Sequence, residues 1–303
     1  MFDTLKDYSI VYSFDRTGYQ RHARQFSQID DSWLADKTVL ITGGTSGIGA
    51  ALAQRLASAG AHVWVTGRGQ QKFDQSGLAA QGVQFIELDM TDFEQVMNQS
   101  LPSLDALVCN AGGMPDQLML VEDRYDVIFA SQVVGHYLLI RRCIEQGVLP
   151  EQAPIHITAS GGMYLQKLNL DDLCWQQARY DKVKSYANAK RAQVILNQEL
   201  PRQFPNYRFS ASHPGWVGTD ALREALPAFT SRMGDRLRTN DEGADTIYWC
   251  LSEGQRLPSG EFWFDRAPRK VYPFFWTRES RKTRQSLLTV CADAWQRHAL
   301  KSD

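Results

Sequence analysis

The chain has 303 residues, 43% hydrophobic and 22% charged, with 33 Lys plus Arg against 34 Asp plus Glu and a formal net charge of -1. That balance excludes a polyelectrolyte, and a mean hydropathy of -0.37 with 11% aromatics excludes a disordered chain. The length permits two domains of about 150 residues or one larger α/β unit, so the order of elements has to decide.

Residues 1–36 precede the first sustained apolar run and read as an N-terminal extension. Short apolar runs then recur at 38–42 (TVLIT), 62–67 (HVWVTG), 83–89 (VQFIELD), 106–110 (ALVCN), 155–160 (IHITAS), 208–213 (RFSASH) and 261–265 (EFWFD). Most are continuously apolar rather than alternating, the pattern of strands buried on both faces. Helix-compatible stretches lie between them, among them 48–59, 127–148 and 185–200. Strand alternating with helix predicts a doubly wound, mostly parallel, seven-stranded sheet with helices on both faces, in one domain over residues 37–265. Residues 266–303 follow as a basic and aromatic C-terminal tail with a helix.

Residues 1–36 carry Asp3, Asp7, Asp15, Asp30 and Asp31 among their apolar positions, so no signal peptide is expected, and no run reaches the roughly 18 apolar residues of a membrane span. The five cysteines, Cys109, Cys143, Cys174, Cys250 and Cys291, are widely spaced without a CxxC. They read as reduced thiols, and a cytoplasmic protein is expected. The six histidines include no HExxH pair, and no metal is expected.

The first apolar run leads into Thr42-Gly43-Gly44-Thr45-Ser46-Gly47-Ile48-Gly49 and then at once into an Ala-rich helix. A strand, a glycine turn and a helix N-terminus together seat a phosphate, because free N–H groups face the anion and absent side chains let the backbone approach. Tyr186 and Lys190 form a YxxxK pair, which on a helix shares one face, so the ammonium is expected to favour the ionised phenol. Ser160 ends the fifth run at the sheet edge where such folds bind ligands, with its hydroxyl placed to meet a carbonyl oxygen. Asn110-Ala111-Gly112 ends the fourth run and His213-Pro214-Gly215 the sixth.

These motifs, in this order, resemble the short-chain dehydrogenase/reductase family; TGxxxGxG is its spacing, whereas the epimerase-like extended branch uses TGxxGxxG. The resemblance implies a single-domain Rossmann fold and an NAD(P)-dependent oxidoreductase that interconverts a carbonyl and an alcohol. It implies that Tyr186 exchanges the proton with the substrate oxygen, that Lys190 holds the nicotinamide ribose and lowers the Tyr pKa, and that Ser160 orients the carbonyl. Gly43, Thr45, Ser46, Gly47, Ile48 and Gly49 would cradle the pyrophosphate. Asp89 and Met90 would lie at the adenine, and Asn110, Ala111 and Gly112 beneath the cofactor. Pro214, Gly215, Val217 and Thr219 would lie at the nicotinamide end. One departure is Gln132, which stands where the family has an Asn supporting a water-mediated proton relay from the lysine. Gln keeps the amide but adds a methylene, so the relay either persists with shifted geometry or is lost, and a cofactor-binding sensor with little turnover is the alternative function. After the second strand no carboxylate occurs before Asp74, while Arg68 is placed to meet a 2'-phosphate, so NADP is preferred over NAD.

Several further segments, among them residues 12–22, 160–173 and 234–238, are distinctive enough to indicate one branch of the family. Between the PG turn and the last run, Ala221, Leu222, Ala225, Leu226, Pro227, Phe229 and Met233 form an apolar stripe that reads either as a wall for a lipophilic substrate or as core contacts of two short helices. From residue 266 to 284 seven Lys or Arg stand against one Glu, interleaved with Tyr272, Phe274, Phe275 and Trp276. A solvated charged face with packed aromatics is the first reading of this tail, and peripheral contact with an anionic membrane is the second. The expected partners are a small-molecule substrate and further copies of the chain, with no nucleic acid.

Overall fold

The structure, a computed structural model, describes residues 10–299. Each apolar run becomes a strand: β1 (Thr38–Ile41), β2 (His62–Gly67), β3 (Gln84–Glu87) and β4 (Ala106–Cys109). After a small hairpin of β5 (Leu120–Val121) and β6 (Tyr125–Asp126) come β7 (Pro154–Thr158), β8 (Arg208–Ser212), β9 (Glu261–Phe264) and β10 (Ala267–Pro268). The main sheet runs in the order β10-β9-β8-β7-β4-β1-β2-β3 and is parallel except for β10. β4 and β7 are buried at every residue, which accounts for their unbroken apolar runs.

The sheet therefore has eight strands, one more than expected. Asp265 and Arg266 both adopt positive φ, 49° and 56°, and turn the chain back so that β10 pairs antiparallel with the end of β9. A two-residue strand carries no periodicity, and Asp-Arg is not a turn-forming pair in sequence terms. Proline at the second position suits an edge, where no further ladder bond is needed.

The helices are α1 (Ile10–Phe14), α2 (Arg16–Ala23), α3 (Gly47–Ser58), α4 (Gln70–Ser76), α5 (Phe93–Asn98), α6 (Val127–Phe129), α7 (His136–Glu145), α8 (Lys182–Gln203), α9 (Asp220–Ala225), α10 (Pro227–Met233), α11 (Asn240–Glu253) and α12 (Arg281–Ala299). On one face α3 and α11 bury Leu52, Leu56, Ile247 and Leu251 against Val39, Ile41 and Val65. On the other, α7, α8 and α12 bury Leu138, Val194, Ile195 and Leu287 against Leu40, Leu107 and Ile155. The stretch Val127–Glu145 is long and apolar enough to cross a membrane by composition alone, yet most of it is buried inside this second layer. Between α6 and α7 the helix widens into a π-helical segment, Ala130–Gly135. At Gly135 an added Cβ would fall 2.1 Å from the Met90 carbonyl oxygen, so only glycine admits this approach.

The described segments on either side of the sheet unit, from residue 10 and up to residue 299, pack against it. The ring of Phe14 packs among Tyr164, His213, Trp216 and Phe264. Arg238, 2% exposed, donates to the carbonyls of Ser13, Phe14, Asp15 and Pro214 and pairs with both oxygens of Asp265 at 2.6 and 2.9 Å. At the other end, α12 rests on α5 and α7.

Strand order reverses between β1 and β4, and a crevice for a ligand opens at the carboxyl ends of the strands at such a point. Thr42, Asn110, Ser160 and His213 follow β1, β4, β7 and β8 at that edge.

Candidate active site

The turn after β1 is shaped for backbone approach. Gly43 has φ 64°, and a Cβ there would lie 2.7 Å from the Ala111 Cα. At Gly49 an added Cβ would fall 2.4 Å from the Gly43 carbonyl oxygen and 2.7 Å from the Asn110 amide. The turn is stitched from below: Thr42 Oγ1 accepts from the N–H groups of Asn110 and Ala111, both at 2.9 Å, and Asn110 Nδ2 donates to the carbonyls of Thr42 and Gly43. Ser46 caps α3 with its backbone, leaving its hydroxyl without a capping bond. Twelve residues of α3 thus direct their positive end and first-turn N–H groups at this turn, an anion seat by construction. Thr219 reaches the same place, with its methyl 3.1 Å from where a Gly47 Cβ would stand, and Val217 packs on Gly243 of α11 beside Ile48. Thr45 abuts Gly67 at the end of β2, so Arg68 emerges beside the turn. Arg68 is exposed and, among the described residues, makes no hydrogen bond or ion pair. These features fit a dinucleotide whose pyrophosphate sits on α3. Asp89 and Met90 follow β3; Asp89 accepts from the backbone and hydroxyl of Thr91, and Met90 is buried.

Tyr186, Lys190 and Ser160 come together above this turn. Asp181 starts α8 by accepting from the N–H groups of Val183 and Lys184, which sets the helical phase that turns Tyr186 and Lys190 inward. Lys190 is 3% exposed and donates to the Thr158 carbonyl at the end of β7 and to Gln193 Oε1, both at 2.9 Å. Burial lowers its pKa to about 7. Its Nζ stands 5.3 Å from the centre of the Tyr186 ring. Burial pushes the Tyr186 phenol above its ordinary value, and the hydrogen bond with Ser160 opposes that shift. The expected lowering by Lys190 is thus not what governs the phenol here: desolvation is the largest cause, and Ser160 supplies the counterweight. Ser160 also accepts from the Gly162 N–H at 3.2 Å, which fixes its hydroxyl at the head of the following turn.

Gln132 lies in the π-helical segment, fully buried, with its side chain turned away from Lys190. Its Nε2 donates to the Gly113 carbonyl at 2.8 Å, and its Oε1, near Gly112, has no partner. Only its main-chain carbonyl faces the lysine side, where it accepts from Gln193 Nε2 at 2.7 Å. The amide on which the sequence argument turned is therefore not the group that meets the lysine network.

Pro214 and Gly215, at φ 83°, turn the chain after β8. Gly215 is required because the Arg238 guanidinium occupies the place of a Cβ, 2.2 Å from it. Sequence reasoning passed over Gln193, His136, Arg238 and Phe14. Gln193 had a signal, since it is a polar residue at i+3 from Lys190 and so shares its helix face; the other three are joined to the site only by folding.

The short chain dehydrogenase family model matches residues 37–162. Dehydrogenase/reductase SDR family member 12 of Homo sapiens is 35% identical over 274 residues, covering 84% of this chain and 85% of that protein. Retinol dehydrogenase 14 of Homo sapiens is 30% identical over 80% of this chain and 82% of its own length. A short chain dehydrogenase from Burkholderia cenocepacia J2315, solved in complex with NADP, superposes with a TM-score of 0.59 at 26% identity, covering 76% of this chain and 96% of that one. Motif order, strand order and these likenesses agree, and the chain belongs to the short-chain dehydrogenase/reductase family, the NAD(P)-dependent oxidoreductases that act on carbonyl and alcohol groups.

Proposed function

We propose that this protein is an NADP(H)-dependent reductase of a lipophilic carbonyl, also able to run in the alcohol-oxidising direction. The observation that carries the cofactor choice is Arg68, unpaired beside Thr45 and Gly67 with no carboxylate at the end of β2 to hold a bare ribose. Titration with NADPH and NADH by fluorescence tests it. Arg68→Ala should weaken NADPH binding about 10- to 100-fold, the worth of a charge-assisted hydrogen bond, and leave NADH binding nearly unchanged. Equal losses for the two cofactors would remove the argument.

The cofactor, when bound, supplies the hydride. The chain's residues supply the proton and the geometry. A phenol raised by burial stays protonated at neutral pH, so Tyr186 suits the donation of a proton to an oxygen that is becoming an alkoxide. Ser160, bonded to that phenol, orients the same oxygen. Lys190, tethered at its Nζ by Thr158 and Gln193, keeps one N–H for the ribose hydroxyls.

The rim supports an apolar substrate. Leu222, Leu226 and Phe229 are half-buried, and Phe229 meets Trp216 of the PG turn edge to face at 5.1 Å. Lys182 ties Asp116 to the Ala225 carbonyl and so joins the loop after Gly113 to α9. On that loop Leu118, Met119 and Leu120 are exposed. Ala225 and Met233 are buried, so part of the predicted stripe is core and part is wall. The likeness to a retinol dehydrogenase favours the same substrate class.

The tail supports contact with an anionic bilayer of a reducing compartment. Phe275 and Trp276 are 85% and 56% exposed on a single turn, and Arg269, Lys270, Arg278, Arg281 and Lys282 are exposed around them. Glu279, the one acid in the stretch, is buried against Arg191. Aromatic tips ringed by cations suit a lipid interface. Co-sedimentation should show binding to vesicles containing phosphatidylserine and loss of that binding in the Phe275→Ala/Trp276→Ala double variant; binding that is absent, or unchanged in the variant, would refute the contact.

A further inference from the structure

Between Lys190 and the glycine turn lies a buried polar chain that the mechanism above leaves unused. Lys190 Nζ donates to Gln193 Oε1 at 2.9 Å, and Gln193 Nε2 donates to the Gln132 main-chain carbonyl at 2.7 Å. His136 Nδ1 lies 3.1 Å from the same carbonyl, and its Nε2 lies 3.0 Å from Thr42 Oγ1. Thr42 in turn receives the N–H groups of Asn110 and Ala111. Gln193 is 1% exposed and His136 2%.

Donor and acceptor arithmetic assigns the orientations. An ammonium only donates and a carbonyl only accepts, so the carboxamide bridges them with its oxygen on Lys190 and its NH2 on Gln132. His136, neutral because burial and the nearby lysine lower its pKa to about 3, then donates from Nδ1 to the carbonyl and accepts at Nε2 from the Thr42 hydroxyl. The Gln193 carboxamide, the Gln132 main-chain carbonyl, both His136 ring nitrogens and the Thr42 hydroxyl thus each have a protein partner.

The family resemblance implies a water on the interior side of this lysine. In this chain the place beside Nζ is taken by an amide. We propose that Gln193 is a positioning residue whose carboxamide, in place of a water, bridges Lys190 to the Gln132 main-chain carbonyl and holds the ammonium at the cofactor site. Two interior acceptors, Gln193 Oε1 and the Thr158 carbonyl, stabilise the charged lysine in a site that otherwise disfavours charge. The other groups facing Nζ are the Tyr186 ring on α8 and the neutral His136 on α7. The adjacent Arg191 is held at 2.5 Å by Glu279. Lys190 thus depends on Gln193 for its protonation state as well as for its place.

The proposal rests on the reading of Lys190 as the group that holds the cofactor, but its test uses no cofactor, so the two fail separately. Lysine labelled at its ε-carbon allows the Lys190 resonance, assigned by its loss in Lys190→Met, to be titrated by NMR in the full chain. Gln193→Met keeps length and removes the acceptor, so the Lys190 midpoint should fall by about one pH unit or more. Gln193→Glu places an anion on Nζ, and the midpoint should rise by a similar amount. A residue that served only to fill space would not move the two variants in opposite directions. Unchanged midpoints, or shifts of one sign in both, would overturn the proposal. Should the Met variant fail to fold, the Glu variant decides alone: a raised midpoint supports the bridge, and an unchanged one refutes it.

Discussion

The candidate catalytic residues are readable because the chemistry proposed for them demands rare combinations. Tyr186, Lys190 and Ser160 stand at fixed places relative to apolar runs, and the fold gathers them as their motifs imply. What sequence does not convey is environment. The sign of the shift at Tyr186 depends on how deeply α8 is buried, and the direction in which Gln132 points depends on Gly113 and on the π-helical widening beneath it. Thr42 is the sharpest case: as a residue it looks like a strand end, yet its hydroxyl joins His136 to two backbone N–H groups of the next strand. Thr42→Val keeps the shape and orphans both N–H groups, so unfolding should become easier by about 1–3 kcal/mol in urea. A change of a few tenths would mean that those groups find other partners.

At the scale of elements, α1 and α2 are more than an appendage. Arg238 gathers three carbonyls from residues 13–15 together with Pro214 and Asp265, so the N-terminal segment, the PG turn and the β9–β10 turn share one buried cation. Removing that cation takes both guanidinium hydrogen bonds from a carboxylate that is 4% exposed and leaves it to the His22 imidazole, 2.6 Å away. Arg238→Met should therefore cost about 3–5 kcal/mol in denaturant unfolding, and a loss below about 1 kcal/mol would show that the clasp is ornamental. The N-terminal half of this clasp is not legible from the chain order, because residues 13–15 lie more than 220 residues from Arg238. The long helices, in contrast, fall within a few residues of their expected spans, since α3 and α8 owe their existence to local apolar runs and terminal residues.

For the whole molecule, the parallel sheet is legible because buried strands must be apolar throughout, and the eighth strand is not, because two residues carry no pattern. A second property belongs to the whole core: His136, His156 and His213 are all buried, each with its pKa lowered by burial from 6.5 to about 3. The unfolded chain binds protons at these groups between those values and the folded one does not, so their contribution is complete above pH 6.5 and is lost as pH falls toward 3. Each histidine adds a slope of about 1.4 kcal/mol per pH unit within that window. Urea midpoints should drop clearly from pH 7 to pH 5, and a flat profile would mean that these rings are charged in the fold. The direct measurement of turnover is NADPH oxidation across a panel of lipophilic aldehydes, ketones and quinones, with Tyr186→Phe alongside. Oxidation with at least one carbonyl, reduced about 100-fold or more in Tyr186→Phe at unchanged NADPH affinity, is the predicted result. Tight NADPH binding without oxidation on any of them, or equal rates in the two proteins, would contradict it and favour a cofactor-binding sensor.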